Sequence, residues 1–483
     1  MSATERFDVV VVGSGAGGGV VAGELAERDR RVLLLECGPH RTAADFTRWE
    51  AKANHDFWWP IRFAPINGGA DGMMTLLAGR CVGGTTTVNT KVALRADEHD
   101  LAKWHEASGL VGESGSPFGP SDLAPHYDRV EARLGVRERT DWRKSVHTVE
   151  PGFRALGAEL HPVRSYTDAN CMSCGSCLQG CPTNAGKSTL NTYIHDAWAA
   201  GRLELRAEAR TERVVIEDGE ARGVEYVDGG GALHRVDANV VVVAAGTVNT
   251  PQLLMRSGLP ESPSSRLVGR NLGFHPVRFV YGLFAEPQDA HMVYPITAHA
   301  MEHQHDEDGG FVIEATSVPD PIAFATASED ESGPLWGDDL IQVMRSYRRW
   351  IGLLAMVNDD NNGSVTVGED GTESVTSTLT EVELGRAAAA RDFSRDVLLA
   401  AGASRVTWTG LTSTHVQGTC RMGSDPERSV VDADGRSWDV ERLYVGDGSV
   451  VPRTLSVNPS LTIMALASRL ADHLHGDPHG YLS

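Results

Sequence analysis

The sequence lacks any excess of basic residues. It contains 44 Lys and Arg against 65 Asp and Glu, which gives a formal net charge of −21. Proteins that bind nucleic acids neutralise phosphates with Lys and Arg, and no basic stripe interrupts the acidic excess of this chain. A nucleic-acid partner is therefore not expected.

Long apolar runs are also missing. No window approaches the ~18 uninterrupted apolar residues that a membrane-spanning helix requires. Residues 1–6 lead directly into a short apolar strand, without the basic and apolar segments of a secretory signal. With 41% hydrophobic and 23% charged residues, the 483-residue chain has the composition of a soluble globular protein. We expect a cytoplasmic protein with no membrane span and room for two domains.

Cysteine is scarce outside one segment, since four of the seven cysteines lie within residues 171–181. Their spacing, Cys171-x₂-Cys174-x₂-Cys177-x₃-Cys181 followed by proline, is typical of a ferredoxin segment that binds an iron–sulfur cluster. Disulfides between residues so close in sequence would be strained, and structural zinc normally pairs two separated CxxC units. The spacing predicts a cluster of three or four irons. The alternative is a loop of reduced thiols with a structural role.

The first 40 residues predict one βαβ unit. An apolar strand at residues 8–12 precedes a glycine cluster, a helix at about residues 20–28 and a second apolar strand at residues 31–37. Further along, residues 211–217 and 222–227 predict a hairpin. A buried strand follows at residues 239–244, and a helix begins near Thr250. Near the end of the chain, a strand from Leu443 and a helix at residues 459–474 are expected.

The glycine cluster reads Gly13-Ser-Gly15-Ala-Gly-Gly18, a GxGxxG motif between a strand and a helix. Gly13 permits the tight turn, Gly15 lets a pyrophosphate approach the backbone, and Gly18 lets the helix pack against the strand. Glu36 ends the second strand, where a carboxylate accepts hydrogen bonds from an adenosine ribose. The unit predicts a dinucleotide site, but this fingerprint alone does not distinguish FAD from NAD.

Four more segments resolve that choice, because with the βαβ unit they resemble the glucose–methanol–choline (GMC) family of FAD-dependent oxidoreductases. They occur in the family's order, although Pro260 stands where a glycine is usual. The segments are Gly79-Arg-Cys-Val-Gly-Gly-Thr-Thr-Thr-Val-Asn89, Gly246-Thr-Val-Asn-Thr-Pro-Gln-Leu-Leu-Met-Arg-Ser-Gly258, His415-Val-Gln-Gly-Thr-Cys-Arg-Met-Gly423, and Gly446-Asp-Gly-Ser-Val-Val-Pro452 followed by Val457-Asn458-Pro459.

The resemblance implies an α/β fold in which a Rossmann-like FAD-binding domain is interleaved in sequence with an α+β substrate domain built on an antiparallel sheet. We assign residues 1–50, 195–280 and 405–483 to the FAD-binding domain. Residues 51–194 would form a flavin-contact or cap segment that carries the cysteine cluster at 171–181. Residues 281–404 would form the substrate domain.

The resemblance also implies where the cofactor lies. The first signature contains Thr85-Thr86-Thr87 and no histidine for a covalent link, so non-covalent FAD is expected. The residues expected to contact FAD are Gly13, Gly15, Gly18, Glu36, Arg80, Gly83, Gly84, Thr85, Asn89, Asp447, Gly448 and Pro459.

His415 and Asn458 occupy the catalytic positions that the resemblance implies. Removing hydride from the carbinol carbon of an alcohol also requires removal of the hydroxyl proton, and histidine accepts a proton well near neutral pH. The amide of Asn458 can donate a hydrogen bond to the oxygen as negative charge develops. The chain is thus predicted to be an FAD-dependent alcohol dehydrogenase or oxidase with His415 as the base.

The electron acceptor is left open by the sequence. The same cysteine run occurs in one branch of the GMC family, and a cluster would pass electrons singly to an acceptor protein or a quinone. The alternative is an oxygen-using oxidase, or a tailoring flavoenzyme acting on a hydroxylated, amine or lactol intermediate, without a functional cluster. No motif identifies the substrate.

Overall fold

The structure is a computed structural model that describes residues 5–60, 62–318, 321–326 and 329–482. Its strands are β1 (Arg6–Val12), β2 (Val32–Leu35), β3 (Arg62–Pro65), β4 (Met73–Leu76), β5 (Arg137–Glu138), β6 (His161–Pro162), β7 (Arg164–Ser165), β8 (Leu203–Arg206), β9 (Arg210–Glu217), β10 (Glu220–Val227), β11 (Leu233–Val243), β12 (Val277–Leu283), β13 (Ile296–Ala300), β14 (Phe311–Thr316), β15 (Glu329–Asp330), β16 (Gly333–Pro334), β17 (Trp350–Val357), β18 (Ser364–Val367), β19 (Glu373–Thr376), β20 (Arg405–Trp408), β21 (Thr412–Ser413) and β22 (Leu443–Val445).

Its helices are α1 (Ala16–Glu27), α2 (Glu50–Phe57), α3 (Glu98–Ser108), α4 (Pro120–Leu134), α5 (Lys144–Ala155), α6 (His195–Ala199), α7 (Asn249–Arg256), α8 (Pro321–Thr326), α9 (Gly337–Arg345), α10 (Glu381–Ala400) and α11 (Ser460–Gly476).

The first sheet has the order β8-β2-β1-β11-β10-β9, and β22 pairs with β11. Strands β8, β2, β1, β11 and β22 run parallel, whereas β9 and β10 form an antiparallel hairpin at one side. The central strands are apolar on both faces because helices cover them, as is usual in parallel sheets. Every residue of β2 is buried, for example.

The second sheet is predominantly antiparallel and has the order β16-β15-β20-β12-β17-β14-β13-β6, with β21, β3 and β4 attached beside β12. All eight residues of β17 are buried. Helix α10 covers one face of this sheet and begins with a capping box, in which Thr380 and Glu383 bond each other's backbone N–H groups. The fold therefore combines a parallel nucleotide-binding type of sheet with an antiparallel sheet, as predicted.

The predicted elements occur close to their expected places. The hairpin forms as β9 and β10, and the helix after Thr250 forms as α7, which starts at Asn249. Helix α1 begins at Ala16, four residues before the predicted start, because the glycine motif itself supplies the first turn. All strands of the first sheet come from the three stretches assigned to the FAD-binding domain. Strands β20 and β21, also in those stretches, pair in the second sheet; the division into domains stays a prediction.

Within the described ranges, no helix has both the length and the apolar character that crossing a bilayer demands.

Candidate active site

One cleft lies at the carboxyl ends of the parallel strands. Open parallel sheets bind ligands at this edge, where the chain turns away from each strand. The turn after β1 contributes Gly13 and Gly15, the end of β2 contributes Glu36, and the turn after β22 contributes Asp447. His415 lines the same cleft, which has a volume of about 390 Å³. Residues from the two ends of the sequence thus meet around one cleft.

The glycine turn fits a bound pyrophosphate. A Cβ added at Gly13 would lie 2.2 Å from Ala244 O, and one at Gly18 would lie 1.9 Å from Gly13 O. A Cβ at Gly17, a position not predicted from the sequence, would lie 1.7 Å from Gly446 O. Gly15 differs, since no described atom lies within 4 Å of its added Cβ, so it faces open space. These contacts match the three roles of the motif's glycines.

The first turn of α1 also suits a dinucleotide. Among the described residues no side chain caps this helix, and its first turn carries no acidic residue. Helix N-termini have unpaired backbone N–H groups and a positive end of the helix dipole, which together attract phosphates. The residues present therefore fit the pyrophosphate of FAD.

Glu36 both borders the cleft and holds the glycine turn. Its Oε2 accepts hydrogen bonds from Ser14 N at 3.1 Å and Ser14 Oγ at 2.6 Å, and its Oε1 accepts one from Gly38 N at 2.8 Å. Cys37 Sγ donates a fourth, weaker hydrogen bond to Oε1 at 3.3 Å, so a ribose hydroxyl would take the place of this thiol donor. The sequence predicts the contact of Glu36 with a ribose, but not its hydrogen bonds to Ser14 and Gly38.

The first-signature segment lies directly on the glycine turn. A Cβ added at Gly84 would be 2.8 Å from Gly15 Cα, and Gly83 N donates a hydrogen bond to Ser14 Oγ at 2.8 Å. Gly84, Thr85 and Asn89 line the cleft. Gly18, Gly83 and Arg80, also predicted as FAD contacts, are not among the cleft-lining residues. Arg80 is exposed, with its guanidinium 5.5 Å from the ring centre of Trp59.

Asp447 joins the second signature to the C-terminal flavin segment. Its Oδ2 accepts hydrogen bonds from Gly246 N at 2.8 Å and Thr250 Oγ1 at 2.5 Å, and its Oδ1 accepts one from Ser449 N at 2.8 Å. The side chain is buried. Gly448 and Pro459, the remaining predicted contacts, line the cleft beside it.

Asp447→Asn is expected to weaken this junction, since the amide NH₂ would face a backbone or hydroxyl donor. A buried donor left without an acceptor costs about 1–3 kcal/mol. We expect the free energy of unfolding to fall by about 2 kcal/mol and flavin to be released more readily. Urea titration with flavin fluorescence measures both. Asp370→Asn, at an exposed turn, is the control, and equal behaviour of the two variants would contradict the expectation.

His415 and Asn458 reach the same cleft from different segments. The backbone of His415 is fixed because its N–H donates to Ser413 Oγ at 3.1 Å and its carbonyl accepts from Gln417 Nε2 at 3.3 Å. Burial, and secondly the neighbouring His275, hold the pKa of His415 well below its usual value. The imidazole is therefore neutral near pH 7 and able to accept a proton.

Two residues beside this pair were not predicted from the sequence. His275 Nδ1 lies 2.9 Å from His415 Nδ1. Glu314, on β14, is fully buried, and burial raises its pKa to about 7, with the amide of Asn458 acting in the opposite direction. Neither Glu314 oxygen, nor Asn458 Oδ1, has a hydrogen-bond partner among the described residues. A lone acidic residue within the apolar run Phe311–Thr316 was the signal available for Glu314.

Aromatic and apolar side chains form further walls of the cleft. Trp58 and Trp59 line it, together with Leu178, and Trp58 Nε1 donates to Leu178 O at 3.2 Å. Leu178 belongs to the cysteine segment, so that segment borders the cleft through its backbone and an apolar side chain.

The four clustered cysteines are free thiols, and Cys177 is buried while Cys171, Cys174 and Cys181 are half-buried. Burial raises the pKa of Cys177 to about 12. In the portion of the chain that the structure describes, no group of three or more His, Cys, Asp or Glu side chains is arranged to hold a metal ion. The iron–sulfur cluster therefore stays a prediction from the spacing, and no reaction step is derived through it.

Several known proteins resemble this chain over nearly its whole length. A long-chain-alcohol oxidase of Arabidopsis thaliana is 31% identical over 97% of the chain and 68% of its own length. A 2-methyl-1,2-propanediol dehydrogenase of Mycolicibacterium austroafricanum is 28% identical over 98% and 96%, respectively. The crystal structure of a pyridoxine 4-oxidase from Mesorbium loti shares the fold, with a TM-score of 0.75 at 20% identity, covering 98% of this chain and 100% of that one.

The family model for GMC oxidoreductases matches in two parts. Its N-terminal part covers residues 7–277 and its C-terminal part covers residues 374–467. These ranges include the glycine turn, the first signature, His415 and Asn458, and together they span most of the sequence. The chain belongs to the GMC oxidoreductase family.

Proposed function

We propose that this FAD-dependent oxidoreductase oxidises an alcohol, with His415 as the base that accepts the hydroxyl proton. The observation that carries the proposal is that His415 and Asn458 line the same cleft as the glycine turn after β1. A substrate carbon held there would lie between a dinucleotide-binding edge and a neutral imidazole. The names of the two relatives, an alcohol oxidase and a diol dehydrogenase, support an alcohol as the substrate.

Each group of the chain has a defined task in this reaction. The glycine turn and the first signature would hold FAD non-covalently, and the bound flavin would supply the acceptor for the hydride of the carbinol carbon. His415 takes the proton from the hydroxyl oxygen, so the substrate loses one hydride and one proton and becomes a carbonyl compound. Asn458 donates from its amide to the same oxygen while negative charge builds up there.

The apolar walls favour an alcohol with an apolar carbon skeleton. The side chains of Trp58, Trp59 and Leu178 are largely apolar. They can pack against the hydrocarbon part of a substrate and exclude water from the cleft. Exclusion of water strengthens the hydrogen bonds that His415 and Asn458 make to the hydroxyl group. A substrate panel should therefore begin with aliphatic and aromatic alcohols of increasing length and include diols, amines and lactols.

Anaerobic spectroscopy tests the proposal directly. The purified protein is expected to carry FAD that heat or acid releases, and the flavin absorbance should bleach under argon when an alcohol from the panel is added. The product should be the corresponding aldehyde or ketone. Purified protein with no flavin, or bleaching by amines alone, would contradict the proposal.

The electron acceptor is a separate question with its own measurement. The proposal covers the reduction of the flavin and leaves the cluster at Cys171, Cys174, Cys177 and Cys181 as a prediction from spacing. Iron and acid-labile sulfide analysis tests that prediction. Reoxidation of the reduced protein in air, compared with reoxidation by a quinone or a one-electron dye, distinguishes an oxidase from a dehydrogenase.

The rate of flavin reduction should persist to unusually low pH. Protonated His415 cannot accept the hydroxyl proton, and burial with the neighbouring His275 holds the pKa of His415 well below 6.5. The rate should therefore stay level as pH falls through 6.5 and decline only at lower pH. Anaerobic stopped-flow reduction across pH 4–8 measures this. A decline centred at 6.5 or above would contradict the expectation.

A further inference from the structure

His275 lies behind His415 and connects it to the backbone. It is fully buried, in the segment that leads into β12. Its Nε2 bonds the carbonyl oxygen of Leu455, and its Nδ1 lies 2.9 Å from His415 Nδ1. The two rings are almost perpendicular, at 87°, with centres 5.1 Å apart. The contact is therefore made through ring nitrogens and not by stacking.

The chemistry of these atoms assigns the protons. A carbonyl oxygen only accepts hydrogen bonds, so His275 Nε2 must carry a hydrogen. Burial lowers the pKa of His275 to about 4, so the ring is neutral near pH 7 and its Nδ1 has a lone pair. A short contact between two lone pairs would be repulsive and would leave both nitrogens unpaired. His415 Nδ1 must then donate.

We propose that His275 is a positioning residue that holds His415 in the tautomer with its proton on Nδ1, leaving the lone pair of Nε2 free for the substrate. The proposal rests on the proposed function of His415 as the base. The order of hydrogen bonds is His415 Nδ1–H to His275 Nδ1, and His275 Nε2–H to Leu455 O. The carbonyl oxygen at position 455 thus fixes the tautomers of both rings.

This arrangement lasts through the proton transfer. When the substrate O–H bond breaks and an Nε2–H bond forms on His415, the resulting imidazolium still donates from Nδ1 to His275. No relay continues beyond His275, because its Nε2 already carries a hydrogen and the carbonyl oxygen of Leu455 takes up no proton. A neutral partner also orients the ring without the large rise in pKa that a carboxylate partner would cause.

Gln417 links the backbones of His415 and Leu455, the residues at the two ends of this series of hydrogen bonds. Its Nε2 donates to His415 O at 3.3 Å, and its Oε1 accepts from Leu455 N at 3.4 Å. Gln417 is fully buried. The backbone of His415 and the backbone of Leu455, whose carbonyl orients His275, are thereby joined by one side chain.

Nitrogen NMR of the flavin-bound protein reads the tautomer directly. With ¹⁵N-labelled histidine, the His415 signals are assigned by their absence from His415→Asn. The proposal expects a protonated Nδ1 and an unprotonated Nε2 on His415 in the wild-type protein. A protonated Nε2 with a free Nδ1 would overturn it. This measurement requires no His275 variant to fold.

Variants at position 275 then test the consequence for catalysis. His275→Leu removes the Nδ1 acceptor and keeps a side chain of similar volume. We expect the anaerobic rate of flavin reduction to fall by about 10–100-fold, with flavin content and KM little changed. His275→Asn places an amide oxygen near the position of Nδ1 and should restore part of the rate. His126→Asn is a matched control, because His126 is also buried with its pKa lowered to about 4 but lies on α4, where it faces Asp472.

The outcomes separate this proposal from the proposed function. Equal rates in His275→Leu and wild type overturn the positioning role, even if His415→Asn is inactive. A normal rate in His415→Asn overturns the base itself, whatever the NMR spectrum reports. A slow His275→Leu variant in which His415 loses its single tautomer, with partial recovery in His275→Asn, supports the positioning role.

Discussion

Replacing His415 with alanine is expected to leave FAD bound and to slow its reduction by alcohol by about 10²–10⁴-fold, the usual contribution of a positioned base. The flavin should remain because the contacts that fit it lie elsewhere, at the glycine turn, the first signature and the Asp447 junction. The hydride should become hard to remove because no other neutral imidazole reaches the cleft in the described chain. Stopped-flow bleaching under argon measures the rate.

His303→Ala serves as the control, because His303 is half-buried and packs against Phe311 on the second sheet, outside the residues that line the cleft. It should reduce at the wild-type rate with the same flavin content. If His415→Ala matched the control, the base would have to be another group. If instead His415→Ala lost its flavin, the imidazole would be a cofactor contact, and the rate of a flavin-reconstituted sample would decide its catalytic role.

Local patterns made much of the fold predictable. A GxGxxG motif sets its own turn, since Gly13 and Gly18 would clash with nearby backbone if they carried a Cβ. The hairpin of β9 and β10 depends on a few turn residues between alternating strands. These signals act over short stretches of sequence, so this sequence alone predicts them. His415 and Asn458 were found by resemblance to a family, and the structure places both in one cleft.

The residues that contact these predicted site residues could not be predicted, because they lie in segments that are distant in sequence. His275 is 140 residues from His415, and no sequence motif predicts that their ring nitrogens are in contact. The bonds from Glu36 to Ser14 and Gly38 depend on how two strand ends face each other. Pairings of this kind are decided by packing, which a motif does not encode.

The cysteine segment is a different case, in which the spacing predicts a cluster that the described residues do not show. Regular spacing limits how far apart the four thiols can be, but backbone conformation decides where each one points. Positive φ angles at Ser173, Gly175 and Gly180 turn the chain repeatedly within the segment. One thiol is buried and the others are half-buried, and no group of three or more possible ligands that could hold a metal ion occurs among the described residues.

Glu314 should make the protein less stable as pH rises from about 4.5 to 7. Burial raises the pKa of this carboxyl from 4.5 to about 7 in the folded protein. In that interval the unfolded chain releases the proton while the folded protein keeps it, so the free energy of unfolding falls with rising pH. This difference in pKa corresponds to a decrease of about 3 kcal/mol in the free energy of unfolding, and the decrease is complete above about pH 7.

Glu314→Gln isolates this effect, because glutamine has nearly the same shape and does not titrate. Asp100 and Asp359 also have raised pKa values and destabilise in the same direction, so the informative quantity is the difference between wild type and variant. Urea titrations from pH 4.5 to 8 should give a difference in unfolding free energy that shifts by about 3 kcal/mol in favour of the variant. A difference independent of pH would contradict the raised pKa.

The same carboxyl is expected to influence the reaction through Asn458. Below about pH 7 the protonated Glu314 can donate to the amide oxygen of Asn458, which directs the amide NH₂ towards the cleft. Once ionised, Glu314 can only accept, and it would draw that NH₂ away from the substrate oxygen. Flavin reduction in wild type should therefore decline above about pH 7, whereas Glu314→Gln, whose amide still donates, should keep its rate. A decline that is identical in both proteins would assign it to another group.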